Sequence, residues 1–283
     1  MPWNSSILWE ADVALTEQQI ERYSRNIILK QIGGTGQEKL LASKVLIVGA
    51  GGLGAPAALY LAAAGVGTIG LLDGDEVDLT NLQRQIIHHT KDVGRRKVIS
   101  AEEKIKAINL DVKVRTYDVW ARADNIREIV RGYDFVIDGV DNFFAKFLIN
   151  DVCYFERIPF SHAGILQFEG QLLTVVPGQS ACYRCLFRSP PPTGSVPSCG
   201  QAGVLGVLPG VIGSLQATEA IKYLLKTGEL LTDSLLTYSA LTMDFRKVRV
   251  GRNPDCPLCG PKATITTLVD EGQVSCNKKG CKC

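Results

Sequence analysis

The chain has 283 residues, 46% of them hydrophobic, which can bury a full core and suits one large α/β domain with a modest appendage. Its 31 basic and 29 acidic residues leave a net charge of +2, so the chain lacks the single-sign charge of proteins that bind nucleic acid or membrane surfaces, and we expect neither partner. No basic residue precedes Arg22, and no short apolar stretch with a cleavage site is evident there, so we predict a cytoplasmic location.

In the first half of the chain, predicted helices and strands alternate. The chain begins with a helix over 16–29, opened by Thr16, and a strand over 44–48 that ends in glycines. The next predicted elements are a helix over 56–64, a strand over 68–72, a helix over 98–109, a strand over 112–117, a helix over 125–130 and a strand over 135–137. This alternation predicts a Rossmann-like, doubly wound α/β fold with a mainly parallel sheet.

The pattern becomes mixed after Pro159. Paired strands over 165–176, turning around Glu169 and Gly170, precede a helix over 212–225 and two further strands over 235–250. These strands predict antiparallel additions at the C-terminal side of the sheet. A long proline-rich connection over 188–203 separates the two pairs, and connections of this length are usually functional or disordered.

A glycine loop follows the first predicted strand. Its sequence, Gly49-Ala50-Gly51-Gly52-Leu53-Gly54, matches GxGxxG between a strand and a helix, where backbone N–H groups can approach a phosphate or ribose. Asp73 ends the next strand, where a carboxylate can accept hydrogen bonds from ribose hydroxyls. These features predict a nucleotide site, and a merely tight turn is the alternative.

Basic residues that follow the predicted 68–72 strand favour ATP over NAD as the bound nucleotide. Asn81 and Arg84 lie in one short segment, and Lys97 follows; nucleotidyl transfer needs cations around a triphosphate. Taken singly, Arg84 and Lys97 could instead be solvated surface charges. Asp138 and Asp141 end the 135–137 strand and could hold magnesium, although Asp138 could also be a loop residue and Asp141 a helix N-cap.

The nine cysteines are odd in number, which fits reduced thiols and metal ligation better than a closed disulfide framework. Two C-x-x-C pairs, Cys182 with Cys185 and Cys256 with Cys259, predict a structural four-cysteine zinc site, with a redox pair as the weaker alternative.

The remaining cysteines lie outside these pairs. Cys199 in the proline-rich connection is either a reactive thiol or an incidental loop residue, and Cys153 is predicted to be in the core. The default for Cys276, Cys281 and Cys283 is a disordered tail. His88, His89 and His162 form no recognisable motif.

We expect one domain over 1–265 with a cysteine-containing tail over 266–283. Its parts are an N-terminal helical segment over 1–40, a nucleotide-binding part over 41–160 and a mixed-sheet and zinc part over 161–265.

The order of these signals resembles the MoeB/ThiF/HesA family, bacterial relatives of ubiquitin-activating enzymes. The resemblance covers roughly 16–260. It is carried by Arg22 to Ile28, the glycine loop, Leu72-Asp73, Asn81 to Gln85, Lys97, Asp138 to Asn142, Cys182 to Cys185 and Cys256 to Cys259.

The resemblance implies an adenylyltransferase that activates the C-terminal carboxylate of a small β-grasp sulfur-carrier protein ending in Gly-Gly. It places the glycine loop and Asp73 around adenosine and ribose, magnesium on Asp141, and zinc on the paired cysteines. The phosphates would be contacted by Asn81, Arg84 and Lys97.

The resemblance also implies a homodimer, because the arginine matching Arg25 reaches the neighbouring protomer's phosphates. Some members use the cysteine matching Cys199 for thioester or persulfide chemistry. Since no rhodanese domain follows residue 260, we expect a separate sulfur donor. The alternatives are an NAD-dependent oxidoreductase, which leaves the arginine, lysine and cysteine features unexplained, and a non-catalytic nucleotide-binding scaffold.

Overall fold

A computed structural model describes residues 15–192, 194–196 and 199–270, apart from the side chain of Cys199. The described strands form one eight-stranded sheet in the order β3-β2-β1-β4-β5-β6-β7-β8. The strands are β1 (Lys44–Val48), β2 (Thr68–Leu72), β3 (Lys113–Tyr117), β4 (Phe135–Asp138), β5 (Phe160–Leu166), β6 (Glu169–Val175), β7 (Ser234–Ser239) and β8 (Asp244–Arg249).

The first five strands are parallel and the last three are antiparallel additions. β1 lies between β2 and β4, with β3 beyond β2 and β5 beyond β4, and all four of these pairings are parallel. The pairings of β5 with β6, β6 with β7 and β7 with β8 are antiparallel. This topology confirms the predicted mainly parallel α/β sheet with antiparallel C-terminal strands.

Helices cover both faces of the sheet because the central strands are apolar at successive positions. The helices are α1 (Glu17–Arg22), α2 (Ser24–Ile27), α3 (Gly33–Ala42), α4 (Gly54–Ala63), α5 (Lys97–Ile108), α6 (Ile126–Val130), α7 (Phe143–Glu156), α8 (Tyr183–Leu186), α9 (Cys199–Ala202) and α10 (Leu208–Leu225). In β1, Val45 and Ile47 belong to one buried cluster with α4 and α10, whereas Leu46 and Val48 belong to another with α6 and α7.

The predicted helix over 16–29 is two helices, because the chain bends at Tyr23 (φ −98°, ψ 13°). The Tyr23 side chain is buried, and its hydroxyl accepts a hydrogen bond of 2.8 Å from the Asn109 amide. A Cβ on Gly65 would lie 2.6 Å from the Tyr23 ring. The bend therefore inserts this ring between Gly65 and Asn109, and the single-helix prediction was wrong.

Other boundaries also differ from prediction, and the largest difference is at β5, which begins at Phe160, five residues before the predicted start at 165. The β5–β6 turn lies at Gln167 and Phe168, because Gly170 pairs with Ile165 inside the ladder, where a Cβ would lie 2.6 Å from Ile212 on α10. Gly170 therefore leaves room for α10 to pack on the sheet and is not part of the turn. The last helix begins at Leu208, four positions before its predicted start at 212. Pro209 does not prevent this, because a proline is tolerated in the first turn of a helix.

Among the described residues, no helix is both long and apolar enough to span a bilayer. The uncharged stretch over 45–72 instead forms β1, the glycine loop, α4 and β2.

Candidate active site

The glycine loop occupies the carboxyl edge of the parallel sheet between β1 and α4. Gly49 has φ +95°, and a Cβ there would lie 2.8 Å from the carbonyl oxygen of Gly139, after β4. A Cβ on Gly54 would lie 1.9 Å from the Gly49 carbonyl oxygen. These two glycines are therefore required by backbone packing within the turn.

The other two glycines face the space between neighbouring segments. A Cβ on Gly51 would lie 3.5 Å from the Gln85 side-chain nitrogen, and one on Gly52 would lie 3.2 Å from Pro209 and 3.6 Å from Cδ of Arg84. Gly52 therefore packs closely against Pro209 with Arg84 beside it, whereas Gly51 makes only an ordinary contact with Gln85.

Asp73 joins the end of β2 to the glycine loop. One carboxylate oxygen accepts a 2.9 Å hydrogen bond from Ala50 N–H, and the other accepts one of 2.9 Å from Asp75 N–H. Burial raises the pKa of Asp73, an effect that the nearby positive charge of Lys97 opposes. Asp73 lies where the sequence predicted it, and in this structure it also fixes the loop.

Arg84 lies above the loop on a short turn. Its Nη1 donates a 3.1 Å hydrogen bond to the carbonyl oxygen of Thr80. The Asn81 side-chain oxygen accepts a 3.1 Å hydrogen bond from Asp78 N–H and so stabilises the same turn. Beside Gly51, the buried Oε1 of Gln85 has no hydrogen-bond partner among the described residues. An orphaned acceptor here fits a site completed by a ligand that donates hydrogen bonds.

Lys97 is the first residue of α5 and is only 7% exposed. Its Nζ lies 2.8 Å from a carboxylate oxygen of Asp75, and its charge acts on Asp73. Lys97 is therefore a buried cation, paired with Asp75 and close enough to Asp73 to act on its charge, and not a solvated surface charge.

Asp138 is not available to a metal ion. It is fully buried, accepts a 2.7 Å hydrogen bond from His162 Nδ1, and has Lys146 Nζ at 3.5 Å. Burial raises the pKa of Asp138, but Lys146 and His162 outweigh burial, so the pKa lies below its ordinary value. The suggestion that Asp138 holds magnesium was wrong, because its carboxylate is already paired inside the protein.

Asp141 and Asn142 take different roles at the start of α7. The Asn142 side chain is the N-cap and accepts a 2.8 Å hydrogen bond from Ala145 N–H, so Asp141 is not the cap. The Asp141 side chain is exposed, two residues beyond the Gly139 that touches the glycine loop. This position leaves its carboxylate accessible at the carboxyl edge of the sheet.

Arg25 lies far from these residues. It is exposed on α2, which follows Tyr23, and Tyr23 packs against Gly65 just before β2 begins. The glycine loop lies at the other end of the parallel strands, roughly 16 Å away for a five-residue strand. Within one chain, the structure therefore does not bring Arg25 to the candidate site.

Sequence reasoning missed two buried histidines beside the site. His88 Nε2 lies 3.0 Å from the Ala50 carbonyl oxygen, and His162 packs on Tyr183 with ring centroids 4.2 Å apart while binding Asp138. Neither contact could be predicted from residue spacing, because His88 contacts a backbone carbonyl oxygen and His162 contacts residues of other helices and strands. An alternation of apolar residues with His162 along β5 was the only available signal.

The four paired cysteines come together in one cluster. Sγ of Cys182 lies 3.8 Å from Cys185, 3.6 Å from Cys256 and 3.5 Å from Cys259. A tetrahedral zinc with Zn–S bonds of about 2.3 Å separates its sulfurs by roughly 3.8 Å. Backbone N–H groups point at two of the sulfurs, from Asn253 to Cys185 and from Cys259 to Cys256. The cluster is thus a candidate metal site with no open position.

The other cysteines divide into described and undescribed positions. Cys153 is fully buried in the core, as predicted. Cys199 is the first residue of α9, but its side chain lies outside the described structure, as do Cys276, Cys281 and Cys283 entirely.

Comparison with known proteins identifies close relatives. The ThiF family model matches residues 23–258. The SAMP-activating enzyme E1 of Haloferax volcanii is 50% identical over 248 residues, which are 88% of this chain and 92% of that protein. The sulfur carrier protein adenylyltransferase of Thermus thermophilus is 46% identical over 260 residues, which are 90% of this chain and 96% of that protein.

Matches also extend to a longer eukaryotic protein and to solved structures. The adenylyltransferase and sulfurtransferase MOCS3 of Culex quinquefasciatus is 45% identical over 260 residues, which are 92% of this chain but 59% of that protein. Such relatives are therefore not confined to bacteria. A crystal structure of E. coli MccB with ATP matches with a TM-score of 0.74 at 25% identity, covering 84% of this chain and 74% of that one.

Proposed function

Because the chain belongs to the ThiF family, we propose that it is an ATP-dependent adenylyltransferase acting on a small ubiquitin-like sulfur-carrier protein. It activates the carrier's C-terminal glycine carboxylate as an acyl-adenylate and releases pyrophosphate. The observation that carries the proposal is the convergence of Arg84, Lys97 and the glycine loop at one edge of the sheet. The names of the Haloferax and Thermus relatives support the carrier as the substrate.

The chemistry needs these cations because two anions react. A carrier carboxylate oxygen attacks the α-phosphorus of ATP, a new P–O bond forms, and the bond to pyrophosphate breaks. The carboxylate is already ionised at neutral pH, so no general base is required. Arg84 and Lys97 reduce the repulsion between the anions, and Asn81 lies on the same turn as Arg84.

Adenosine binds at the glycine loop, with Asp73 accepting hydrogen bonds from the ribose hydroxyls. Asp141 is the residue that would hold magnesium, which would neutralise phosphate charge when bound. Its exposed carboxylate on the loop that contacts Gly49 supports this assignment.

The active site is shared between two copies of the chain. Arg25 is exposed on α2, away from the glycine loop of its own chain, and a homodimer would let it reach the partner's phosphates. Exposed apolar side chains flank it, with Ile28 69% and Leu29 50% exposed, as expected of residues that a second subunit covers.

The metal of the four-cysteine cluster is zinc, and its role is structural. It ties α8 to the segment after β8. Cys182→Ser should release the zinc and lower the thermal midpoint, as measured by metal analysis and calorimetry. An undiminished zinc content in this variant would rule out the assignment.

We further propose that the protein acts in the cytoplasm and that a separate protein donates sulfur to the adenylated carrier. Cys199, in the connection before α10, would act in one of two ways: its thiolate would attack the acyl-adenylate to form a thioester and release AMP, or it would take the outer sulfur of the donor protein's persulfide and leave the donor as a thiol. Its replacement by alanine should then leave adenylation normal and block sulfur loading.

ATP–pyrophosphate exchange tests the proposal. Exchange should depend on a carrier ending in Gly-Gly, and calorimetry should show binding of ATP but not of NAD. Binding of NAD but not of ATP would favour an oxidoreductase. Binding of ATP with no ATP–pyrophosphate exchange in the presence of any carrier would favour a non-catalytic scaffold.

A further inference from the structure

His88 connects the glycine loop to α5 from inside the protein. The side chain is 4% exposed. Its Nε2 lies 3.0 Å from the Ala50 carbonyl oxygen, and its Nδ1 lies 2.9 Å from Ser100 Oγ on α5. Both ring nitrogens are therefore engaged by fixed partners.

The chemistry of these partners sets the direction of every hydrogen bond. A carbonyl oxygen can only accept, so Nε2 carries the proton and donates to Ala50, while Nδ1 accepts from the Ser100 hydroxyl. Lys104 Nζ donates to Ser100 Oγ at 3.1 Å and pairs with the buried carboxylate of Asp92. The chain of donors thus runs from Lys104 through Ser100 and His88 to the glycine loop.

The His88 ring is neutral under ordinary conditions. Burial lowers its pKa to about 4, and the positive charges of Lys97 and Lys104 act in the same direction. The hydrogen bond to Ala50 and the charge of Asp92 oppose the shift without reversing it. His88 consequently stays in one tautomer instead of titrating near pH 7.

Three parts of the candidate site meet at His88. Its backbone N–H donates a 3.0 Å hydrogen bond to the Gln85 carbonyl oxygen, on the turn that carries Arg84, while its ring contacts Ala50 and Ser100. Ser100 lies one helical turn after Lys97 on α5. Ala50 itself is fixed from both sides, because Asp73 accepts its N–H and His88 donates to its carbonyl.

We infer that His88 is a positioning residue that holds the glycine loop in register with Arg84 and Lys97 for ATP binding. The inference rests on the proposed function for the identity of the nucleotide. His88 touches the loop's backbone, so its effect reaches ATP only through the loop.

Two substitutions separate this role from simple packing. In His88→Gln the side-chain amide can still donate to Ala50, whereas in His88→Asn the shorter amide can reach Ser100 but not the loop. His89→Gln is the matched control, because His89 is the exposed neighbour. We expect ATP affinity within about threefold of wild type for the glutamine variant and weakened about tenfold or more for the asparagine variant, which is the size of one lost hydrogen bond.

Calorimetric titration with ATP decides the outcome. Equal affinity of folded His88→Asn and wild type would overturn the positioning role alone, and so would equal weakening in both His88 variants. Absence of ATP binding by wild type would instead overturn the proposed function and this inference with it.

A nucleotide-free measurement checks the geometry separately. In the full chain labelled with 15N-histidine, the three histidines give few ring signals, and loss of one set in His88→Gln assigns His88. We expect an Nε2–H tautomer that is unchanged from about pH 7.5 to about pH 5. An Nδ1–H tautomer, or titration near the ordinary value of 6.5, would overturn the inference.

Discussion

At the scale of single residues, each charged group of the site is held by a partner that leaves it close to the glycine loop. Lys97 pairs with Asp75, whose side chain is half exposed, and Arg84 donates to a backbone carbonyl. A triphosphate can replace such partners because it offers several charged oxygens in place of one. Arg84, which is only partly buried, is thus positioned by a single local hydrogen bond that contributes little to overall stability.

Arg84→Ala therefore separates activity from folding. We expect ATP–pyrophosphate exchange to fall about a hundredfold, because one well-placed donor is lost from the transition state. The thermal midpoint should change little, since the side chain makes only one described hydrogen bond, to Thr80. Lys91→Ala, an exposed charge on the next turn, is the control and should exchange normally. Undiminished exchange in the Arg84 variant would remove this residue from the site.

At the scale of elements, local patterns located most of the sheet but not every helix. β1 and β2 follow runs of apolar or β-branched residues and lie where they were predicted, and the range 235–250 predicted for two strands agrees within one residue with the outer ends of β7 and β8. α3 was not predicted, because three of its first four residues are Gly33, Gly34 and Gly36, which have low helix propensity. Tertiary packing against Leu225 stabilises it instead.

In the candidate site too, local sequence patterns located some features and missed others. The glycine loop and the cysteine pairs carry fixed spacings, so the sequence located them directly. The pairing of Asp138 with His162 and Lys146 joins β4, β5 and α7, and no local pattern records such a contact. Strand position alone left both Asp138 and Asp141 as candidates, and the family resemblance favoured Asp141. In the structure, burial and pairing of Asp138 distinguish the two carboxylates.

The turn from β1 into α4 leads to a prediction about backbone packing. Gly54→Ala should destabilise the protein by about 1–3 kcal/mol or more, because the new Cβ would overlap the Gly49 carbonyl oxygen at 1.9 Å. Gly34→Ala on α3, where no atom lies within 4 Å of the new Cβ, is the matched control. It should be neutral or stabilising by up to about 1 kcal/mol. Urea unfolding measures both, and equal stability of the two variants would contradict the packing.

At the scale of the whole molecule, Arg25 and the glycine loop lie at opposite edges of one sheet. The described structure does not bring them together within one chain, so the proposed use of Arg25 at the phosphates would need a second chain. The proposed homodimer makes each site depend on residues from both subunits.

Mixing two inactive variants tests this dependence. Arg25→Ala and Arg84→Ala should each lack exchange alone, because each damages every site of its own homodimer. After subunit exchange at equal concentrations, half of the dimers are mixed, and each mixed dimer has one intact site. Activity should then recover to about a quarter of wild type by this counting. No recovery, with mixed dimers present by native mass spectrometry, would exclude a shared site.

In the proposed reaction, a carrier's terminal carboxylate becomes an adenylate at the glycine loop. Intact mass spectrometry of a Gly-Gly carrier incubated with ATP, magnesium and the enzyme detects this product. We predict a carrier species heavier by one adenylyl group, which disappears when the carrier's final glycine is removed. An unmodified carrier in the presence of enzyme that binds ATP would exclude this reaction.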